Sequence, residues 1–167
     1  MRLPRAAALL FALLAAGAAR AQDDRVLRVV APTGIGGLEP ARSGAVFARM
    51  GVIETLVSAD AEGRPVPALA ERWDVDEAGL VWRFRLRPGA RFHDGSAVTA
   101  EAAAASLERA RAAATALARA PIASVAAEGA DAVVVRLERP FAPLPAFLAN
   151  YGSAVLAPAA YDGAGRV

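Results

Sequence analysis

The sequence predicts an α/β fold in which short strands are combined with helices. Two patterns support this prediction. Leu80–Arg87 has only apolar residues on one face and three arginines on the other, which is typical of a half-buried antiparallel strand. Thr99 precedes an alanine-rich run to about Ala118, which predicts a long helix with Thr99 as its N-cap. The 167 residues of the chain provide room for one domain of ordinary size.

The first residues have the organisation of a secretory signal peptide. Met1–Arg5 carries two arginines, an apolar run follows, and Ala19–Ala21 has the small-x-small form of a cleavage site. We therefore expect residues 1–21 to be a signal peptide and residues 22–167 to be a periplasmic domain without a membrane span. The sequence contains no cysteine, which excludes both a lipoprotein anchor and disulfide bonds.

Net charge argues against a nucleic-acid partner. The whole chain has a formal net charge of +2, but residues 1–21 contain three arginines and no acidic residue. Without them, 16 arginines face 17 Asp and Glu residues, a net charge of −1. An exported and nearly neutral domain lacks the basic character that nucleic-acid binding requires.

The residues before the alternating strand predict a strand, a loop and a helix in that order. Leu27–Ala31 is a short apolar run that favours a first strand, and Thr33–Pro40 is a glycine-rich loop. Ser43–Ser58 has apolar residues at spacings of three and four, which predicts a helix running into a short extended piece. After a turn, Leu69–Trp73 is expected to form one short helical turn.

The polar face of the alternating strand carries Arg83, Arg85 and Arg87. This arginine row could be a functional basic stripe, but the solvated face of an antiparallel strand is the favoured interpretation. We expect Glu138, just after the neighbouring strand Ala132–Leu137, to pair with one of these arginines.

Prolines divide the C-terminal part of the chain. We expect Pro121 to stop the long helix. Beyond the next prolines, Phe147–Tyr151 is expected to form a short helical turn and Ala154–Leu156 a last strand.

No motif in the chain predicts a cofactor, a metal site or an enzyme. Gly34–Gly37 lacks the third glycine of a dinucleotide-binding loop, because Glu39 stands there. His93 is the single histidine, and it is expected to lie in a turn with Asp94 and Gly95. Asp74, Asp76 and Glu77 lack the later ligands of a calcium loop and are interpreted as a solvated turn.

Several short motifs, in their order along the chain, resemble the family 5 extracellular solute-binding proteins. This family comprises the peptide, dipeptide and nickel receptors of bacterial ABC importers. The matching motifs are Leu38-Glu39-Pro40, Val52–Val57, Ala68-Leu69-Ala70-Glu71-x-Trp73, Phe84-x-Leu86-Arg87-x-Gly89, Phe92–Gly95, Thr99–Glu101 and Val134–Leu137-x-x-Pro140-Phe141.

The resemblance implies a partial first lobe, with a mixed sheet, of a two-lobed type II periplasmic-binding-protein fold. It also implies a monomeric, non-enzymatic receptor that binds a peptide or similar small polar solute and docks on an ABC permease. Family members are longer than this chain, so the resemblance implies a truncated protein with weak stability and poor affinity. Mapped onto this sequence, the family's ligand contacts in this region fall on Ile35, Arg42, Ser43, Val46, Tyr151, Gly152 and Ser153.

Two other functions stay open at this point. An exported domain derived from one lobe could bind a protein partner without a small ligand. A hydrolase would need two carboxyl groups facing each other across a cleft, and no spacing in the sequence requires such a pair.

Overall fold

A computed structural model describes residues 34–167 of the chain. In this part, the helices are α1 (Pro40–Arg49), α2 (Ala100–Ala112) and α3 (Leu144–Leu148). The strands are β1 (Val57–Ala59), β2 (Pro65–Pro67), β3 (Ala70–Val75), β4 (Val81–Leu86), β5 (Ile122–Glu128) and β6 (Ala132–Leu137). Short 3-10 turns occur at Leu117–Arg119, Tyr151–Ser153 and Pro158–Ala160. The predicted α/β class is confirmed.

Four strands form the central sheet in the order β3-β4-β6-β5, and β1 pairs with β2 in a separate hairpin. All pairings among these six strands are antiparallel. The register aligns Trp73 with Phe84 and Phe84 with Val133, so one face of the sheet carries a row of apolar side chains. This is the face that the alternation in β4 predicts.

Helix α2 covers this apolar face. Thr99 caps the helix as predicted, since its hydroxyl accepts a hydrogen bond from the Ala102 N–H at 3.2 Å. The buried side of α2 is mostly alanine, and small side chains allow the helix backbone to approach the sheet closely. Leu107 supplies bulk at this interface and has no exposed surface. Its burial contributes about 1.5–3 kcal/mol to folding.

The arginine row of β4 lies on the opposite, solvated face of the sheet. Arg83 pairs with Glu128 at 3.1 Å, and Arg85 pairs with Asp131 at 2.7 Å. The prediction that Glu138 pairs with this row is wrong. The Leu137 N–H donates to the Leu80 carbonyl, so Glu138 lies beyond the start of β4.

The segment predicted as a helical turn, Leu69–Trp73, is instead the start of strand β3. The Ala70 N–H donates to the Leu56 carbonyl, and the Arg87 N–H donates to the Leu69 carbonyl. These bonds to distant segments give the backbone N–H and C=O groups hydrogen-bond partners that one isolated turn could not supply. Trp73 packs against the core from this edge strand.

Helix boundaries differ from the predicted ones. Helix α1 begins at Pro40, because proline suits the first turn, where an N–H has no helical partner. It ends at Arg49, and Gly51 follows with a φ of 68°, a left-handed conformation that favours glycine. Helix α2 ends at Ala112, well before Pro121. Thr115 supports this earlier end by donating its hydroxyl hydrogen to the Ala110 carbonyl at 2.7 Å.

The sequence did not predict strand β5, and two C-terminal elements differ from their predicted bounds. Strand β5 has a register irregularity between Ile122 and Ser124, which disturbs the alternation that would have revealed it. The predicted helical turn at Phe147–Tyr151 is divided between α3 and the 3-10 turn at Tyr151–Ser153. The predicted last strand is reduced to one bridge between Val155 and Glu54.

The predicted signal peptide and the predicted strand Leu27–Ala31 lie outside the described residues. Within residues 34–167, no helix combines the length and the apolar character that crossing a membrane would need.

Candidate functional site

The two segments that the sequence assigns to ligand binding meet in the structure. Gly44, in the middle of α1, lies directly against Tyr151. A Cβ atom on Gly44 would be 2.7 Å from Tyr151 Cδ2 and 3.2 Å from the Tyr151 carbonyl oxygen. Because only glycine permits this approach, α1 and the 3-10 turn at Tyr151–Ser153 form one surface. We call it the Tyr151 surface.

Three of the predicted ligand contacts are buried beneath this surface. Ser43 is 3% exposed, and its hydroxyl accepts a hydrogen bond from the Gly36 N–H at 3.0 Å. Ser153 is fully buried and donates its hydroxyl hydrogen to the Phe147 carbonyl at 3.1 Å. Gly152 is buried against Thr115. These contacts hold the surface in shape, and ligand contact by the three residues stays a prediction.

The other predicted contacts are accessible, but they do not converge on one cleft. Ile35 is 56% exposed, and Val46 is half-buried on α1. Arg42 is an exposed residue of α1, and its side chain extends back along the loop before the helix. Its Cδ would be 3.6 Å from a Cβ placed on Gly37. Tyr151 is 40% exposed and lines two open clefts, one of which is also lined by Gly152.

Tyr151 lines two clefts. The larger cleft has a volume of about 620 Å³, and the charged side chains along it are Arg49 and Glu54. The smaller cleft has a volume of about 160 Å³. It is lined by Ala41, Ala114, Thr115, Ala116, Arg119, Asn150, Tyr151 and Gly152.

Sequence reasoning missed Arg119 and Asn150. The prediction extended α2 to about Ala118, which would have placed Arg119 at the C-terminal end of a helix. Because α2 ends at Ala112, Arg119 instead ends the 3-10 turn at Leu117–Arg119 and reaches the Tyr151 surface. The lack of large apolar residues between Leu107 and Leu117 was the available signal for this earlier end.

A third cleft, of about 450 Å³, contains the predicted turn around His93. The Gly95 N–H donates to the Phe92 carbonyl, which confirms the turn. Asp94 accepts hydrogen bonds from the hydroxyl and the N–H of Ser96 at 2.6 and 2.9 Å. These bonds hold the pKa of the Asp94 carboxyl below its usual range.

The pKa of the Asp76 carboxyl group is lowered in the same way, by hydrogen bonds. Asp76 accepts hydrogen bonds from the N–H groups of Val81 and Leu80, which lower the pKa of its carboxyl group. A general acid in a hydrolase needs a raised pKa, so these lowered values favour structural roles for Asp76 and Asp94. Within residues 34–167, no cluster of three metal-ligating side chains occurs.

This fold places the chain in the class of two-lobed periplasmic binding proteins, of which it covers one part. The crystal structure of NikA from Brucella suis in complex with Fe(III)-EDTA superposes with a TM-score of 0.72 at 26% sequence identity. The superposition covers 84% of this chain and 30% of that protein.

The model of the bacterial extracellular solute-binding proteins, family 5 Middle, matches residues 64–166. The chain belongs to this family, as its motifs indicate. The di/tripeptide-binding protein 4 of Pseudomonas aeruginosa is 43% identical over 91 residues, which are 52% of this chain and 16% of that protein. The nickel-binding periplasmic protein of Escherichia coli is 38% identical over 101 residues, which are 57% of this chain and 19% of that protein. The chain thus spans less than a third of each of these three proteins.

Proposed function

We propose that this chain is part of the substrate-binding component of an ABC importer, and that it binds a peptide or a similar small polar solute for uptake. The family match across residues 64–166 carries the proposal. The relatives described above include a di/tripeptide-binding protein and a nickel-binding periplasmic protein. Residues 1–21 would act as a signal peptide, and residues 22–167 would form part of the solute-binding domain.

The Tyr151 surface would form one wall of the binding cleft. Its two clefts are open and share an exposed aromatic residue, an arrangement suited to an elongated solute. Ile35, Arg42 and Val46 would extend this wall along α1 and the loop before it, while Ser43, Gly152 and Ser153 would support it. The component would be a monomer in the periplasm and would deliver its solute to an ABC permease.

Within residues 34–167, no cluster of three metal-ligating side chains is available to hold a bare metal ion, so this surface would contact the organic groups of its solute. The three unpaired polar groups of the smaller cleft are instead hydrogen-bond donors from Arg119, Asn150 and Tyr151. Such donors suit the carboxylate and carbonyl groups of a peptide.

Solute uptake by the host cells tests this proposal. Deleting the gene should reduce the uptake of radiolabelled dipeptides or tripeptides and leave the uptake of a labelled sugar unchanged. Restoring the gene should restore peptide uptake. Unchanged peptide uptake in the deletion strain, under conditions in which the protein is produced, would contradict the proposal.

A further inference from the structure

The smaller cleft beside Tyr151 presents hydrogen-bond donors without an acidic partner. Among the described residues that line it, Arg119 is the one charged side chain, and neither aspartate nor glutamate occurs. Of the eight ion pairs between described residues, none includes Arg119. In the described part of the chain, the guanidinium of Arg119 and the hydroxyl of Tyr151 also make no hydrogen bond. This cleft therefore has an unbalanced positive charge.

Asn150 adds a donor whose orientation is fixed by the backbone. The Gly152 N–H lies 2.9 Å from the side-chain oxygen of Asn150. Since a backbone N–H can only donate, the atom that accepts must be Oδ1, and the Nδ2 amino group must face elsewhere. No acceptor among residues 34–167 bonds to this amino group, which leaves two N–H donors for another molecule.

Thr115 contributes shape to the cleft rather than a donor. Its hydroxyl hydrogen is used by the Ala110 carbonyl, and its Cγ2 methyl lies against Gly152. The polar groups left to a ligand are thus the guanidinium, the amide N–H groups and the phenol hydroxyl. A planar anion with two acceptor oxygens matches such a set, and arginine binds carboxylates with two parallel hydrogen bonds.

We propose that this cleft binds a carboxylate group of the transported solute, with Arg119 as its charged anchor. Asn150 and Tyr151 supply the additional donors. A volume of about 160 Å³ lies below the usual range for a complete ligand pocket, so the cleft accommodates one end of the solute. Arg42, a ligand contact that the family resemblance implies, does not line this cleft and lies beside Gly37. This inference rests on the proposed function, because it specifies how the same surface recognises its solute.

Calorimetric titration of the purified full chain separates the two proposals. The probes are the dipeptide Ala-Ala and its C-terminal amide, which differ at the carboxylate alone. Arg119→Gln removes the charge, and Asn150→Asp keeps the oxygen that accepts from Gly152 while replacing the donor with an anion. The matched control is Arg136→Gln, since Arg136 is also exposed and lies on β6, outside the clefts around Tyr151.

The wild-type chain should bind Ala-Ala more tightly than the amide. Arg119→Gln should weaken the binding of Ala-Ala about 10- to 100-fold, as expected for the loss of a charge-assisted hydrogen bond. It should leave the binding of the amide unchanged. Asn150→Asp should also weaken Ala-Ala binding, whereas Arg136→Gln should match the wild type.

Two results would overturn the inference in different ways. If the wild-type chain and Arg119→Gln bind Ala-Ala equally well, the carboxylate site is wrong and the proposed function stands. If the wild-type chain binds neither probe at millimolar concentrations, where one wall of the cleft should still bind weakly, the peptide-binding function and its carboxylate site both fail. Thermal unfolding of each variant, monitored by circular dichroism, verifies that the exposed substitution has preserved the fold.

Discussion

The central sheet and the Tyr151 surface differ in whether their arginines are paired with acidic residues. On the sheet, each arginine of the β4 row has an acidic partner, and the apolar face is closed by α2. At the Tyr151 surface, Arg119, Asn150 and Tyr151 line an open cleft, and no residue that the structure describes in this lining is acidic. The paired region is built to be stable, whereas the unpaired region keeps its hydrogen-bonding capacity for another molecule.

This difference separates the arginine row of the sheet from Arg119, although both are accessible. Arg83, Arg85 and Arg119 are all at least partly accessible, but Arg83 and Arg85 each have an acidic partner, whereas Arg119 is in none of the ion pairs between described residues. Exposed ion pairs contribute only about 0–1 kcal/mol each to the free energy of unfolding. Pairing matters here mainly because a paired arginine is less available to bind another molecule. Substitutions in the sheet should therefore change stability, and substitutions at the Tyr151 surface should mainly change binding.

The largest effect is expected from Phe84→Ala in the sheet. Phe84 has no exposed surface and packs between Trp73 and Trp82, with ring centroids 6.1 and 6.2 Å away. Truncation should lower the free energy of unfolding by about 3–5 kcal/mol, measured by urea denaturation. The matched control is Phe47→Ala on α1, where the ring is half-buried and the loss should be smaller. An equal or greater loss at Phe47 would contradict the placement of the core.

A smaller effect is expected where the two parts of the Tyr151 surface touch. Gly44→Val places a side chain within 2.7 Å of the Tyr151 ring and should cost about 1–3 kcal/mol through overpacking. Urea denaturation gives the stability, and Ala-Ala binding should weaken because Tyr151 must move. Gly36→Ala serves as the control, since no atom lies within 4 Å of a Cβ there. If both variants behave alike, the close contact between α1 and Tyr151 is wrong.

The cap of α2 should contribute less than either of these packing contacts. Thr99→Ala removes the hydroxyl that accepts from the Ala102 N–H, which should cost about 1 kcal/mol. Thr99→Ser retains an acceptor at the same place and should recover most of the stability in the same denaturation assay. A serine variant as unstable as the alanine variant would show that the cap bond is not the cause.

The smallest effect is expected in the acid dependence of stability. Hydrogen bonds lower the pKa of Asp76 in the folded chain, so its stabilising contribution is present above the ordinary pKa of a carboxyl group. That contribution is lost as the pH falls through the lowered value. Asp76→Asn does not titrate, so its denaturation midpoint should fall less than that of the wild type between about pH 5 and about pH 2.

Asp74→Asn is the matched control for this acid titration. The Asp74 carboxylate accepts no hydrogen bond from another described residue, so this variant should follow the wild-type curve. An Asp76→Asn curve that is also identical to the wild-type curve would contradict the role assigned to the hydrogen bonds from Leu80 and Val81.

The sequence predicted best the elements that short-range chemistry determines. The alternation in β4 and the cap at Thr99 need only neighbouring residues, and both are confirmed. Strand β3 was predicted as a helical turn because its extended form depends on hydrogen bonds with Leu56 and Arg87, which are distant in sequence. Tertiary contacts of this kind override local preference.

The candidate site was only partly predicted, because it too depends on tertiary contacts. The motifs resembling the family directed attention to α1 and the Tyr151–Ser153 turn, and the structure brings these segments together. The burial of each predicted contact depends on tertiary packing, which no local sequence pattern encodes. Ser153 is fully buried, for example, whereas Tyr151 in the same turn is exposed. Arg119 was missed because the end of α2 was predicted too late.

Chemical-shift mapping by two-dimensional NMR of the full chain, titrated with Ala-Ala, tests the central claim most directly. The comparison between the two regions predicts that the amide signals of Arg119, Asn150 and Tyr151 shift on titration. The signals of β4 and β6 should stay in place, and Arg119→Gln should require about 10- to 100-fold more peptide to produce the same shifts. Shifts concentrated on the arginine row of β4, or a spectrum unchanged at saturating peptide, would contradict the claim that the Tyr151 surface binds the solute.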